Sequence, residues 1–184
     1  MPFFGIQTWV ALPKDHEDRA PDFQHAGRDA LPFLEGEGKE VRLILGTAWG
    51  ERAPVTTASE MFYADAVLKP GAKLPLPEDH EDRGAYVVEG SVQIAGETYD
   101  AGRMMVFRPG DRVSMTAGER GARVMLLGGE TLEGSRYIWW NFVASSKERI
   151  EEAKEAWRRG DWENNPRFQL PPGDDREFIP LPER

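Results

Sequence analysis

From Met61 to Gly129 the chain repeats one pattern: a short run rich in Val, Tyr, Phe and Met, then a turn built on Gly or Pro, roughly every 8–12 residues. That rhythm leaves little room for a fold other than a β-sandwich or β-barrel, because each run is too short for a helix and each turn reverses the chain. In MFYADAVL, Phe62, Ala64, Ala66 and Leu68 fall on one face at period 2, and the run stops at Pro70-Gly71. GAYVV follows, with a turn expected at Glu89-Gly90, then SVQI with a turn at Ala95-Gly96, and ETY with a turn through Gly102. MMVF ends at Arg108-Pro109-Gly110-Asp111, RVSM runs to a turn between Gly118 and Gly121, and ARVMLLGG closes the series. Gly supplies positive φ at such turns and Pro presets φ for the first central position.

Two more strands are expected before this block, GIQTWVAL and VRLIL, joined by a long charged loop through His16, His25 and Pro32. After it, RYIWWNFV is apolar on both faces and reads as one strand covered on both sides. A single helix follows. Ser145-Ser146-Lys147-Glu148 fits a capping box with Ser145 as its first residue, Ile150, Ala153 and Trp157 form one stripe, Glu155 and Arg159 can pair outside, and Gly160 supplies the stop. Such a helix ordinarily packs its stripe on a barrel flank. The remainder is Pro-rich with scattered aromatics and reads as an extended tail. The expected organisation is therefore a barrel over 1–143, with the helix and tail over 144–184 packed on it.

Composition narrows function by exclusion. With 23 Lys and Arg against 32 Asp and Glu, the formal charge is −9, and no basic cluster is present to displace counterions from a phosphate backbone, so nucleic acid is not an expected partner. The absence of Cys removes disulfides, thiolate nucleophiles and iron–sulfur ligation. MPFFGIQTWV lacks the basic and long apolar regions of a secretion signal, and no window is long and apolar enough for a membrane span, so a cytoplasmic protein is expected.

Several stretches, in order, resemble the C-terminal half of the pirin family: GIQTWVALPKDHEDRAPDFQH, AYVVEGSVQIAGETYDAGRMMVF, LLGGE, YIWWNFVASSKERIEEAKEAW and GDDREFIPLPE. The resemblance implies an all-β fold of the cupin type, a double-stranded β-helix or jelly-roll barrel, as one half of a bicupin. It also implies that the family's metal, held by three histidines and a glutamate, sits in a first barrel that precedes this one. If that first domain exists, iron or another divalent transition metal is the implied cofactor, and the implied activity is of the quercetin 2,3-dioxygenase type.

The general cupin pattern can be laid on the chain directly. Gly71 and Gly90 match its two framing glycines, and the ligand positions between them read Pro77, Asp79 and Arg83 where two histidines and a glutamate belong. In the second motif Gly102 and Gly110 mark the hairpin, and the last histidine is replaced by Val113. Pro77 and Val113 offer no donor, Arg83 is a cation, and one carboxylate on Asp79 does not hold a transition metal. No cofactor is therefore expected in this chain, and no catalytic residue can be named.

The other candidates read more simply as structure. His80, beside Glu78, Asp79 and Glu81, could join Asp79 and Arg83 in a polar pocket, although a His in an acidic turn is ordinarily just solvated. DHEDRAP and DHEDRGA are too short for a repeat, and Gly128-Gly129-Glu130 precedes no helix, as a phosphate loop would. Trp139 and Trp140 with Trp9 and Trp49 could make an aromatic platform, but packing is the ordinary role of such side chains. A small-molecule pocket inside the barrel, anchored by Arg83, Arg123 or Asp79, is a further expectation. The preferred role is a structural, ligand-binding or protein-interaction module, expected as a homodimer in which RYIWWNFV or the tail takes part; the alternative is a fragment or variant of a metal-dependent pirin-type oxidoreductase.

Overall fold

In Met61–Leu68 every second side chain turns inward: Phe62, Ala64, Ala66 and Leu68 are all at most 2% exposed. This strand belongs to the barrel unit, residues 23–131, in a computed structural model that describes residues 5–165, 167–170, 173–174 and 177–182. The strands are β1 (Phe33–Gly36), β2 (Lys39–Ala48), β3 (Glu51–Arg52), β4 (Met61–Leu68), β5 (Lys73–Pro75), β6 (Asp82–Ile94), β7 (Glu97–Asp100), β8 (Met104–Phe107) and β9 (Ser114–Gly129). All pair antiparallel, and the order β1-β2-β4-β9-β6-β7 carries β3 on β2, β5 on β9 and β8 on β6. This is the cupin jelly roll.

Two long strands make the roll. The first half of β6 pairs with β8 and with the end of β9, while its second half pairs with β7 and with the start of β9. Bulges between Val87 and Glu89 and between Gly90 and Val92 bend the strand from one half to the other. Gly90 is therefore a bulge inside β6 rather than a turn, and Gly118–Gly121 likewise lie inside β9. The sequence marks both places with glycine because the two backbones touch: a Cβ on Gly90 would stand 2.1 Å from the Gly121 carbonyl oxygen. Gly71, Gly102 and Gly110 do sit in turns, all at positive φ.

Tight two-residue hairpins join β1 to β2 through Glu37-Gly38, β2 to β3 through Trp49-Gly50 and β6 to β7 through Ala95-Gly96, with both residues of each left-handed. The core between the sheet halves is aliphatic and small, with Leu43, Val87, Val92, Met115, Val124 and Leu126 fully buried around Phe62.

The second unit comprises residues 5–22 and the described residues of 132–182. RYIWWNFV is not one strand. It folds into a hairpin, β10 (Tyr137–Trp139) and β11 (Phe142–Ala144), because Trp140 takes a left-handed turn, φ 48°, before Asn141. The run is apolar at nearly every position because one face of each short strand meets aromatic rings while Ile138, 68% exposed, and Val143 face outward. The hairpin groups with the N-terminal residues and with helix α1 (Lys147–Arg159).

The helix is capped one residue later than expected: the Ser146 hydroxyl accepts from the Arg149 amide, whereas the Ser145 hydroxyl donates to Glu17 at 2.7 Å. Ile150 and Ala153 are buried and Gly160 ends the helix in the left-handed region, but Arg158 rather than Arg159 pairs with Glu155. GIQTWVAL carries no strand. Its backbone is instead held at Leu12, whose carbonyl accepts from the Nε and Nη2 of Arg136 at 3.1 and 2.9 Å.

Aromatic rings build this unit. Trp157 lies 5.2–5.9 Å from Trp140, Phe142 and Phe168, and 4.9 Å from Trp162. The tail residues Phe168 and Leu181 pack on the same cluster, and the Trp157 indole donates to the Ile179 carbonyl at 2.9 Å. Residues 166, 171–172, 175–176 and 183–184 of the expected tail lie outside the described residues. No described helix is long and apolar enough to cross a membrane.

Candidate functional site

The four positions at which a cupin carries its metal ligands all lie at one end of the barrel unit, around the start of β6. Pro77 is buried in the loop between β5 and β6, Asp79 is exposed in the same loop, Arg83 is the second residue of β6, and Val113 is half-buried just before β9. The Val113 carbonyl accepts from the Leu76 amide at 3.0 Å, so the two loops are stitched together beside the site.

Arg83 holds the centre of this region. It is 2% exposed, and its guanidinium donates to the carbonyl of Pro77 at 3.2 Å, of Asp111 at 2.7 Å and of Arg108 at 3.4 Å. Two of those carbonyls belong to the turn Arg108–Asp111, which closes on an Asp111 amide to Arg108 carbonyl bond of 3.2 Å. A guanidinium is a permanent cation with five donors in a fixed fork, which suits convergent carbonyls. Among the described residues no carboxylate forms an ion pair with it, and its Nε–H has no partner.

Room for this side chain comes from Gly128, its neighbour across the ladder. A Cβ there would lie 3.1 Å from the Arg83 Cγ and 2.4 Å from a ring carbon of Phe62. Gly128 is thus a site residue that the sequence offered only as a rejected phosphate loop; its place in a Gly-Gly pair at a strand end was the available signal.

His80 is the other polar group drawn inward. It is 7% exposed, its ring lies 4.9 Å from that of Phe62, and its Nε2 is 2.8 Å from the Thr47 carbonyl. His80 is therefore not a solvated turn residue. The expected pocket of Asp79, His80 and Arg83 does not form, since Asp79 is exposed and the other two side chains bond to different backbone carbonyls. Glu78 turns outward to Arg112 at 3.5 Å, and His16 and His25 are exposed. Among the described residues no group of three or more His, Cys, Asp or Glu side chains is placed to hold a metal ion.

A divalent transition metal does not fit here. The place of a carboxylate ligand is taken by a cation that has already recruited the nearby carbonyls, and of the remaining positions Pro77 and Val113 have no side-chain donor atom and Asp79 is exposed. The other expected anchor, Arg123, forms a two-pronged pair with Asp65 at 2.9 and 2.7 Å, which raises its pKa through the hydrogen bond to that carboxylate. The Trp platform also divides: Trp139 and Trp140 meet edge-to-face at 6.4 Å within the aromatic cluster, whereas Trp49 packs on Phe62 in the barrel.

An antiparallel jelly roll with paired loops at one end defines a cupin-type protein. The Pirin C-terminal cupin domain model matches residues 63–163, and the chain belongs to the pirin family. A pirin-like protein of Caulobacter vibrioides is 45% identical over 97% of this chain, and human pirin is 28% identical over 83% of it. The crystal structure of quercetin 2,3-dioxygenase from Acinetobacter baumannii superposes with a TM-score of 0.81 at 28% identity, covering 96% of this chain and 57% of that one. The chain spans 60% of the Caulobacter relative and 54% of human pirin.

Proposed function

We propose that this chain supplies a pirin-type cupin unit that works without a metal of its own, as a structural module that binds a ligand or a protein partner. The reading is supported by one observation above all: the Arg83 guanidinium, bonded to three backbone carbonyls, stands where the fold would place a carboxylate ligand. A buried cation raises the cost of placing a second positive charge beside it, since charges a few ångströms apart repel strongly in a low-dielectric interior. The test is elemental analysis of the purified chain after incubation with iron, nickel, copper and zinc salts and dialysis. Metal contents well below one per chain are expected. A stoichiometric metal that survives dialysis would reject the reading.

Self-association belongs to the same proposal. Val106, 78% exposed, and Met104, 49% exposed, lie on β8, which among the described residues pairs only with β6, and Ile138 projects from β10 in the second unit. Exposed apolar side chains on short edge strands favour a homodimer. Light scattering at micromolar concentration should give twice the 20.7 kDa chain mass, and a strictly monomeric mass would refute the dimer.

The similarity to the Acinetobacter quercetin 2,3-dioxygenase favours a second reading, in which these residues form part or a variant of a larger metal-dependent oxidoreductase whose iron or other divalent metal is held elsewhere. Quercetin and oxygen consumption by the natural gene product, with this chain alone as the control, separates the two. Metal-dependent turnover by a product longer than this chain, stopped by a chelator and absent from this chain alone, would support the second reading against the first.

A further inference from the structure

The barrel contains an apolar cavity of about 390 Å³ whose lining includes none of the metal-ligand positions, where the two free sheet edges face each other. One side is formed by β1 and β2, whose Leu34 and Val41 are cross-strand partners with side chains turned to the interior. The other is formed by β5 through Leu74 and Pro75. Neither β1 nor β5 has a second neighbour strand among the described residues, so the cleft between them is the seam of the roll.

Trp49 closes the seam in a conformation that its own backbone opposes. Its φ is 51°, a region in which a bulky side chain is uncommon and Asn, Asp or Gly is the usual first residue of a two-residue hairpin. The strained residue is held from two sides: its indole N–H donates to the Pro75 carbonyl at 3.2 Å, and its ring meets Phe62 edge-on with centroids 6.1 Å apart. A tryptophan kept at positive φ and bridged to the opposite strand is a fixed wall. Strained residues of this kind gather at ligand clamps.

The polar groups around the mouth define the chemistry that fits. Trp49 Nε1 is committed to Pro75, and Lys39 Nζ to Glu37 at 2.6 Å, which leaves the Glu35 carboxylate as the unbalanced charge of the lining. The buried lining residues, Val41 and Leu74, are apolar. We infer that the seam is a binding site for a small, neutral, apolar molecule, one that carries at most a hydrogen-bond donor toward the acidic rim. The cavity has the volume of ordinary small-molecule sites, and its acidic rim selects against anions. The inference does not depend on the role of Arg83.

N-phenyl-1-naphthylamine, a neutral fluorescent probe with one N–H donor, tests this on the whole chain. Saturable binding with one site per chain is expected, and the anionic analogue 8-anilino-1-naphthalenesulfonate should bind at least tenfold more weakly. Trp49→Gly, which removes the wall while suiting the left-handed turn, should weaken the neutral probe at least tenfold. Leu34→Asn, in the β1 part of the lining, should do the same, and it preserves the test should Trp49→Gly fail to fold. Ile138→Ser, in the other unit, should leave binding unchanged. Absence of saturable binding, or binding by both seam variants as tight as in the unaltered chain, would overturn the site. Equal affinity for the two probes would overturn its charge selection.

Discussion

Each of the two units buries a cation, and they do it in opposite ways. Arg83, in the aliphatic barrel, is surrounded by backbone carbonyls and has no carboxylate partner among the described residues. Lys154, in the aromatic unit, is 7% exposed yet reaches an exposed carboxylate, Glu151, at 2.5 Å, and lies 4.2 Å from the centroid of the Trp139 ring. The first cation is part of the backbone's hydrogen-bond accounting, because three carbonyls in two loops depend on it. The second pairs its charged end with a carboxylate that itself lies at the surface, so its removal leaves little buried and unsatisfied. The difference identifies Arg83 as a structural replacement for whatever would otherwise join these loops.

Arg83→Met should therefore produce the largest effect. It takes the guanidinium donor from the Pro77 and Asp111 carbonyls and leaves the Arg108 carbonyl with only the Asp111 amide, and an acceptor deprived of its partner away from water typically costs about 1–3 kcal/mol. Urea unfolding followed by tryptophan fluorescence checks it; a change under about 1 kcal/mol would mean that water or the loops themselves replace the guanidinium. Arg83→Lys sharpens the point. An ammonium is a single point that cannot span the fork between the Pro77 and Asp111 carbonyls, so about 1–2 kcal/mol should be lost although the charge is kept. If the Lys variant were as stable as the original, charge alone would account for the site and fork geometry would not.

The contrast also shows what a sequence discloses. Alternation in MFYADAVL made the buried face of β4 legible, because a period of two has only one way to meet a core. The turn glycines were legible in part: Gly71, Gly102 and Gly110 sit in turns, whereas Gly90 and Gly121 mark close backbone approach within long bent strands, and a sequence records the need for a missing side chain without recording why. RYIWWNFV was misread for a related reason, since a hairpin whose turn residue is itself a tryptophan has no apolar-polar punctuation. At the site, a motif with its ligands replaced marked Arg83 as foreign to a metal centre. The three carbonyls that hold it belong to residues at 77, 108 and 111, and backbone acceptors leave no trace in residue identity. Trp49 was visible only as one tryptophan among six, because its significance lies in a backbone angle.

Lys154→Met tests the other half of the comparison. The salt bridge to exposed Glu151 is screened, and a cation near an indole face contributes about 0.5–1 kcal/mol, while methionine retains most of the packed stem. A loss of no more than about 1 kcal/mol is expected, measured by the same urea unfolding. A loss as large as that of Arg83→Met would erase the distinction between the two cations.

Acid should separate the units by the smallest but most selective effect. In the aromatic unit, Asp18 has its pKa lowered, first by the hydrogen bond from Arg149 at 2.5 Å, and Glu148 has its pKa lowered, first by a hydrogen bond from its own amide at the start of α1 and then by Ser146. A carboxyl whose folded pKa lies below its unfolded one stabilises the fold above the unfolded value, near pH 4, and loses that contribution as pH falls through the folded value. Stability from these two groups is thus constant from neutral pH down to about pH 5 and declines below about pH 4. Asp18→Asn and Glu148→Gln should each lower stability at pH 7 and flatten the acid limb of the stability curve. The carbonyls around Arg83 do not titrate, so the penalty of Arg83→Met, taken as the difference from the unaltered chain at each pH, should be the same at pH 7 and pH 4. A penalty that shrank on acidification would reveal a carboxylate partner for Arg83 and would undo the contrast between a cation held by the backbone and one held by side chains.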